Sequence, residues 1–434
     1  MKSSGKKFGC VFLLFYVLFT MRQQILNHLE DPVQLEKLYQ SNNTAFAKAF
    51  NAIYPELKEE KLAQYWNARL GYERSGISWG KKSDWIFILI ASLLAGLIAK
   101  IPAIFQIKPE LFYPRNIGFI VFPALASYFI WKRNISLSRI LFTAVAFSIA
   151  AVYINLLPDL PNNDTIILAC LHVPFLLWAL LGINYVGLDL KNDESRLDFL
   201  RFNGDFLILS GILVIVGGLF TAIVIGLFKA IGIKIEEFYF DYLAVFAGAS
   251  LPIVSTFLTQ SNPSLVNKVS PVVAKICSPV VLIMLIVYLG AVLFSDKDPY
   301  NDRNFLLVFN LLLLGVMAII LFSLAETSKD FGNPWSLVIL LALSVVTMVV
   351  NGIAFTAILF RISAWGITPN RLAILGANFL MLANLVFIAY RLFNRVIKKD
   401  EKSVVENAIT NFLPIYILWA MIVVFIFPLM FNFR

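Results

Sequence analysis

From Trp85 onward the chain is a succession of apolar segments, each long enough to cross a bilayer as a helix, joined by short polar connections. Phe206–Phe228 and Phe305–Leu324 show the pattern: continuous Leu, Ile and Val, where a crossing helix takes about 20 apolar residues. A barrel strand would need only about 9–11 residues of strict alternation, which these runs lack. In lipid the backbone must satisfy its own hydrogen bonds, so helices are the spanning element. Charged residues are 15% of the chain, below the roughly 25% of soluble domains. Mean hydropathy is +0.79. The expected class is an all-α polytopic membrane helix bundle.

Apolar periodicity predicts about 11 transmembrane helices. They run Trp85–Phe105, Ile117–Trp131, Ile140–Leu157, Thr165–Leu188, Phe206–Phe228 and Phe238–Leu258. Val272–Phe294, Phe305–Leu324, Trp335–Phe360, Leu372–Phe393 and Phe412–Phe431 complete the bundle, which occupies 85–434. Trp85, Trp131, Trp335 and Trp365 fall at segment ends, where amphipathic rings favour the headgroup layer. Ala91, Ala95 and Ala99 form a small-residue face suited to close helix packing. Gly217-Gly218 and Ala247–Pro252 are candidate kinks or helix breaks.

Residues 21–84 are different in kind. Leu26, Leu29, Leu35 and Leu38, then Phe46, Phe50 and Ile53, then Leu62, Trp66 and Leu70, trace short amphipathic helices. Asp31-Pro32 and Asn42-Asn43-Thr44 supply breaks and caps. This is expected to be a cytoplasmic helical domain, a candidate contact for a protein partner. Residues 1–20 carry Lys2, Lys6 and Lys7 before the apolar run Phe8–Phe19. They read as a leader without a small-residue cleavage site, a start placed too early with Met21 as the true one, or a surface helix.

The basic residues orient the chain. With 21–84 in the cytoplasm, Lys132, Arg133, Arg139, Lys191, Arg196, Arg201, Arg391, Arg395, Lys398, Lys399 and Lys402 share that side, as the positive-inside bias asks. The C-terminus is then external, and the segment Arg361–Arg371 lies outside as a basic loop. The net charge of +9 fits anionic lipid, and no basic run interleaved with aromatics points to nucleic acid. Cys10, Cys170 and Cys277 have no metal or disulfide spacing, and His28 and His172 are the only histidines. No metal or cofactor is expected.

Ionisable groups inside spans are the first suspects for function. Lys100, His172, Asp241 and Lys275 qualify, though all but His172 sit near helix ends. Asn310, Asn351, Asn378 and Asn384 are candidates for interhelical hydrogen bonds or for lining a polar path. Phosphate-loop, dinucleotide, zinc-protease and serine-elbow motifs are all missing from the sequence. Internal repeats are not evident.

The most distinctive segment is Arg361-Ile362-Ser363-Ala364-Trp365-Gly366-Ile367-Thr368-Pro369-Asn370-Arg371. Gly366 permits a turn, Thr368 can cap the next helix and Pro369 suits its first position. With Leu372–Gly376 and Asn378 it resembles the R-I-S-x-W-G-[LI]-T-P-N-R-like motif of an uncharacterised bacterial family of multi-pass membrane proteins. Asn27–Glu30 and Tyr54–Leu57 also look like that family's amino-terminal segment. The resemblance implies the fold and a bacterial inner membrane; it implies no reaction.

The leading expectation is a permease-like protein for an anionic or amphiphilic solute, with Arg361, Thr368, Asn370 and Arg371 as candidate ligand or headgroup contacts. His172, Asp241, Asn351 and Asn378 are the candidate intramembrane polar residues. A membrane-anchored sensor or assembly scaffold is the alternative. An enzyme acting on lipid-linked substrates is third, and a cavity lined by Asp241, His172 or Glu110 would favour it.

Overall fold

The computed structural model describes residues 20–73, 80–133, 135–159, 163–187, 192–230, 233–294, 300, 303–327, 334–398 and 403–433. The possible leader at 1–19 and Lys191, Lys399 and Lys402 lie outside the described residues. The chain divides into two units, Met1–Ser78 and Trp79–Arg434.

In the first unit a helix over 20–27 precedes α1 (Pro32–Ser41), α2 (Asn43–Ile53) and α3 (Lys61–Glu73). The expected caps form: Asp31 Oδ1 accepts from Val33 N at 3.0 Å, and Asn42 Oδ1 accepts from Ala45 N at 3.0 Å. Pro32 takes the first helical position, where its missing N–H costs nothing. Ile25, Leu35, Phe46, Phe50, Ile53, Trp66 and Leu70 meet in one buried core. Arg69 closes its edge, pairing with Glu36 at 2.6 Å and lying over the Trp66 ring.

The second unit holds α4 (Lys82–Phe105), α5 (Pro109–Arg133), α6 (Leu137–Leu156), α7 (Asp164–Val186), α8 (Asp193–Ala230) and α9 (Glu236–Ser261). After these come α10 (Pro263–Leu293), α11 (Arg303–Thr327), α12 (Pro334–Trp365), α13 (Pro369–Lys398), the short α14 (Ser403–Thr410) and α15 (413–430). Among the described residues ten helices are long and apolar enough to cross a bilayer. The protein is an all-α polytopic membrane bundle.

α5 falls short of that apolar standard because Pro114, Arg115 and Asn116 dilute its first turns. It nonetheless runs back along the whole of α4. Tyr113 Oη donates to Ala99 O at 3.0 Å at one end, and Lys132 Nζ meets Asp84 Oδ1 at 2.6 Å at the other. Counting it, eleven helices traverse the bundle. We call the end where α4 begins proximal and the other distal. The proximal end gathers Asp84, Lys132, Arg201 and Thr410; the distal end gathers Ala99, Tyr113, Leu157, Asp241, Tyr300, Trp365 and Phe433.

Two buried cores hold the bundle together. The first joins α4 to α7 and α9 through residues such as Leu125, Phe129, Leu177 and Phe257. The second joins α10 to α13 through Leu285, Phe309, Leu343 and Leu385. α15 stitches them, setting Val424 in the first core and packing Val423 and Phe427 with Leu168 of α7 and Ala373 of α13. Ala91, Ala95 and Ala99 are buried as their spacing predicts, and a Cβ on Gly96 would stand 2.2 Å from the Phe246 ring of α9.

Three expectations change. The first membrane helix begins at Lys82, so Lys82–Asp84 belong to α4 rather than to the preceding domain. α8 passes unbroken through Gly217-Gly218, and the irregular winding of α9 is a π-helical stretch at Tyr239–Ala244, ahead of Ala247–Pro252. The basic loop shrinks to a turn, because α12 continues through Arg361 to Trp365 and α13 starts at Pro369.

Candidate functional site

That turn is built as its residues dictate. Gly366 takes φ +77°, a region that favours glycine. Thr368 Oγ1 accepts from Arg371 N at 3.4 Å, and Pro369 opens α13. Arg371 Nη1 then donates to Trp365 O at 2.8 Å and Gly366 O at 2.7 Å, placing a positive charge on the carbonyl end of α12. Arg361 is 7% exposed and its Nε donates to Tyr300 O at 2.9 Å. Both guanidiniums lie on the Trp365 indole, their carbons 5.5 and 5.7 Å from a ring centroid. The structure therefore brings Arg361, Thr368 and Arg371 together. Asn370 is half-buried in the first turn of α13, and no described side-chain hydrogen bond joins it to either arginine.

A second distal feature was not legible as a unit. A cavity of about 460 Å³ is lined by Lys100, Gln106, Lys108, Tyr113, Asp241 and Val245. Lys100 Nζ donates to the main-chain carbonyl of Asp241 at 2.7 Å and sits 4.4 Å from the Tyr242 ring centroid. The π-helical winding there shifts the hydrogen-bond register of α9, a feature concentrated at functional sites. Gln106 lies on the rim at φ 53°, a left-handed conformation that a side chain rarely adopts. Two lysines against one carboxylate leave the lining net positive. Lys100 and Asp241 are 141 residues apart, and only the antiparallel course of α4 and α9 unites them.

Interhelical amides fall into two groups. In the first core Asn116 and Asn155 exchange hydrogen bonds at 2.9 and 2.8 Å, and Asn184 exchanges them with Thr143 at 3.1 and 3.3 Å. In the second, Asn378 Nδ2 donates to Asn310 Oδ1 at 2.8 Å and Asn384 Nδ2 to Tyr416 Oη at 3.0 Å. Among the described residues the carbonyl oxygens of Asn378 and Asn384 have no partner, and neither polar atom of Asn351 has one. All three side chains are 0% exposed. A buried polar group left unmade costs about 1–3 kcal/mol. His172 is unremarkable by comparison: its Nδ1 lies 2.8 Å from Leu168 O, one turn back on α7.

Sequence reasoning missed two buried charge sites. Arg115, 8% exposed, donates to Leu157 O at 2.8 Å and Pro158 O at 3.2 Å, ending α6 as Arg371 ends α12. At the proximal end Arg201 Nε donates to Ala325 O at 2.8 Å and Nη1 to Asp198 at 2.6 Å. Asp205, one turn on, accepts from Ser270 of α10. Ser278 continues the same helix and donates to Ser323 of α11 at 2.8 Å, three residues before buried Glu326. The available signal was the Arg201/Asp205 spacing, which puts both on one helical face. Among the described residues no cluster of His, Cys, Asp or Glu is arranged to hold a metal. Compared with protein families, curated proteins and solved structures, the chain has no match.

Proposed function

We propose that this integral membrane protein is a permease-like carrier of the bacterial inner membrane for an anionic or amphiphilic solute. Its first unit, ending at Ser78, lies in the cytoplasm and its C-terminus outside. The distal cavity carries the reading. It has the volume of a small-molecule site, a net-positive lining, and walls drawn from three different helices. The proximal end holds Lys132, Arg133, Arg139, Arg196 and Arg201, which supports a cytoplasmic placement of that end. The bacterial location and the family rest on the Arg361–Arg371 motif.

The test is flux of inorganic phosphate and of dodecyl phosphate into proteoliposomes. Lys100→Gln with Lys108→Gln is expected to slow uptake of at least one probe tenfold or more, a loss of about 1.4 kcal/mol. Arg361→Ala with Arg371→Ala asks the same of the turn. Unchanged flux in stably folded variants rejects the respective site.

Two observations support other readings. The first unit has a core of its own, as a sensor or scaffold head would. Loss of partner capture without any solute phenotype, on deleting 21–78, selects that reading. Asp241 lines the distal cavity, as an enzyme on lipid-linked substrates would want; Asp241→Asn abolishing turnover while sparing flux selects that one.

A further inference from the structure

The contrast between the two groups of amides bears on where a solute passes. Between the helices of the first core Asn116 pairs reciprocally with the exposed Asn155 near the distal end, and buried Asn184 pairs with the Thr143 hydroxyl near the proximal end. In the second, among the described residues, Asn351, Asn378 and Asn384 each bury an unpartnered carbonyl oxygen, and the Asn351 amide nitrogen is unpartnered as well. Asn351 does not stand alone on α12. Ser344 and Thr347 precede it by seven and four residues and so share its helical face; both are 0% exposed. Their hydroxyls donate to their own helix, at Leu340 O and Leu343 O, leaving oxygen lone pairs turned into the interior. α12 packs most closely against α13 and also against α10 and α11, and between those last two Ser278 and Ser323 form a further buried hydroxyl pair. Continuing toward the distal end, the buried positions of α12 are the apolar Ala354, Ala357 and Ile358 before Arg361 is reached.

A water molecule would satisfy Asn351, but a side chain with no accessible surface leaves no room for one. Solvent cannot enter this interface as it stands. An apolar residue of the same shape would suit the closed interface better than asparagine does. A polar residue in a dry interface is suited instead to a state in which the interface is wet.

We infer that the path of a polar solute runs along the seam between α12 and its neighbours α10, α11 and α13, marked on α12 by Ser344, Thr347 and Asn351, and that this structure is its closed state. The seam opens when α12 separates from its neighbours and water reaches Asn351. Its middle carries hydroxyls and amides and no charge, so it recognises its solute by hydrogen bonds, water among the occupants. The inference rests on the permease reading for its purpose, but it is tested without flux.

In full-length protein with Cys10, Cys170 and Cys277 replaced by Ser, single cysteines are introduced as Ser344→Cys, Asn351→Cys, Ala354→Cys and Ala357→Cys. Each is exposed in proteoliposomes to a small water-soluble methanethiosulfonate. Modification at 344 and 351 is expected at least an order of magnitude faster than at 354 and 357. Asn351→Leu is expected to raise Tm and to slow modification at 344 by locking the seam shut. The inference is overturned if 344 and 351 react no faster than 354, or if Asn351→Leu lowers Tm. Phosphate flux alongside an unreactive seam would reject the seam and leave the permease reading intact; a reactive seam without flux of any probe would do the reverse.

Discussion

Arg115 and Arg371 solve one problem in the same way. The last carbonyls of a helix have no partner within it, and in a bilayer they have little water either. Arg115 meets Leu157 O and Pro158 O just past the end of α6, and Arg371 meets Trp365 O and Gly366 O at the end of α12, each setting a positive charge on a helix C-terminus. Arg371 is thus partly spent on structure, and any solute it meets shares it with Trp365 and Gly366. Glycines show the residue scale in reverse. A side chain on Gly96 runs into the Phe246 ring, whereas Gly218 has no atom within 4 Å of the place its Cβ would occupy. Gly96→Leu should therefore cost about 1–3 kcal/mol. Gly218→Leu should stay within about 0.5 kcal/mol of the parent. Thermal unfolding in detergent compares them, and equal losses would refute the close α4–α9 approach.

At the scale of elements, hydrophobic period and length located ten of the crossing helices, because a continuous apolar run has no other use in such a chain. α5 was located as well, although its Pro, Arg and Asn weaken the signal. Its course is proved by what its ends touch. Cysteines at Gln106 and Ser136 should accordingly face opposite sides of a vesicle, one open to an impermeant thiol reagent and the other protected; labelling of both from one side would remove α5 from the crossing set. Pairings were the illegible part. Lys100 and Asp241 were each visible as polar residues near a helix end, but their meeting depends on how α4 and α9 pack. The Arg201–Ala325 and Asp205–Ser270 contacts were hidden for the same reason, with Arg201 read only as an orienting charge. By contrast the Gly366–Thr368–Pro369 turn was readable, since every contact in it is local.

At the scale of the whole molecule two units with separate cores share one chain. The first is near the lower size limit for independent folding. Expressed alone as 21–78, it should be helical by circular dichroism and melt cooperatively. Phe46→Ala should abolish that melt, since losing a fully buried Phe costs about 3–5 kcal/mol, comparable to all the stability a core this small supplies. A non-cooperative melt of the parent fragment would mean that this domain needs the rest of the protein.

In the membrane unit α8 stands apart. Its 38 residues extend about 57 Å, nearly twice the hydrocarbon thickness. Its base is clamped by Arg201 to α11, yet none of its most apolar stretch is buried against the rest of the chain. Farther along, the Thr221 hydroxyl meets the Tyr239 hydroxyl of α9 at 2.7 Å, so the tilt of this rod answers to its neighbours as well as to the membrane. A thinner bilayer would lean it further and a thicker one would draw it upright. The same lean would bear on the Arg201 clamp at its base.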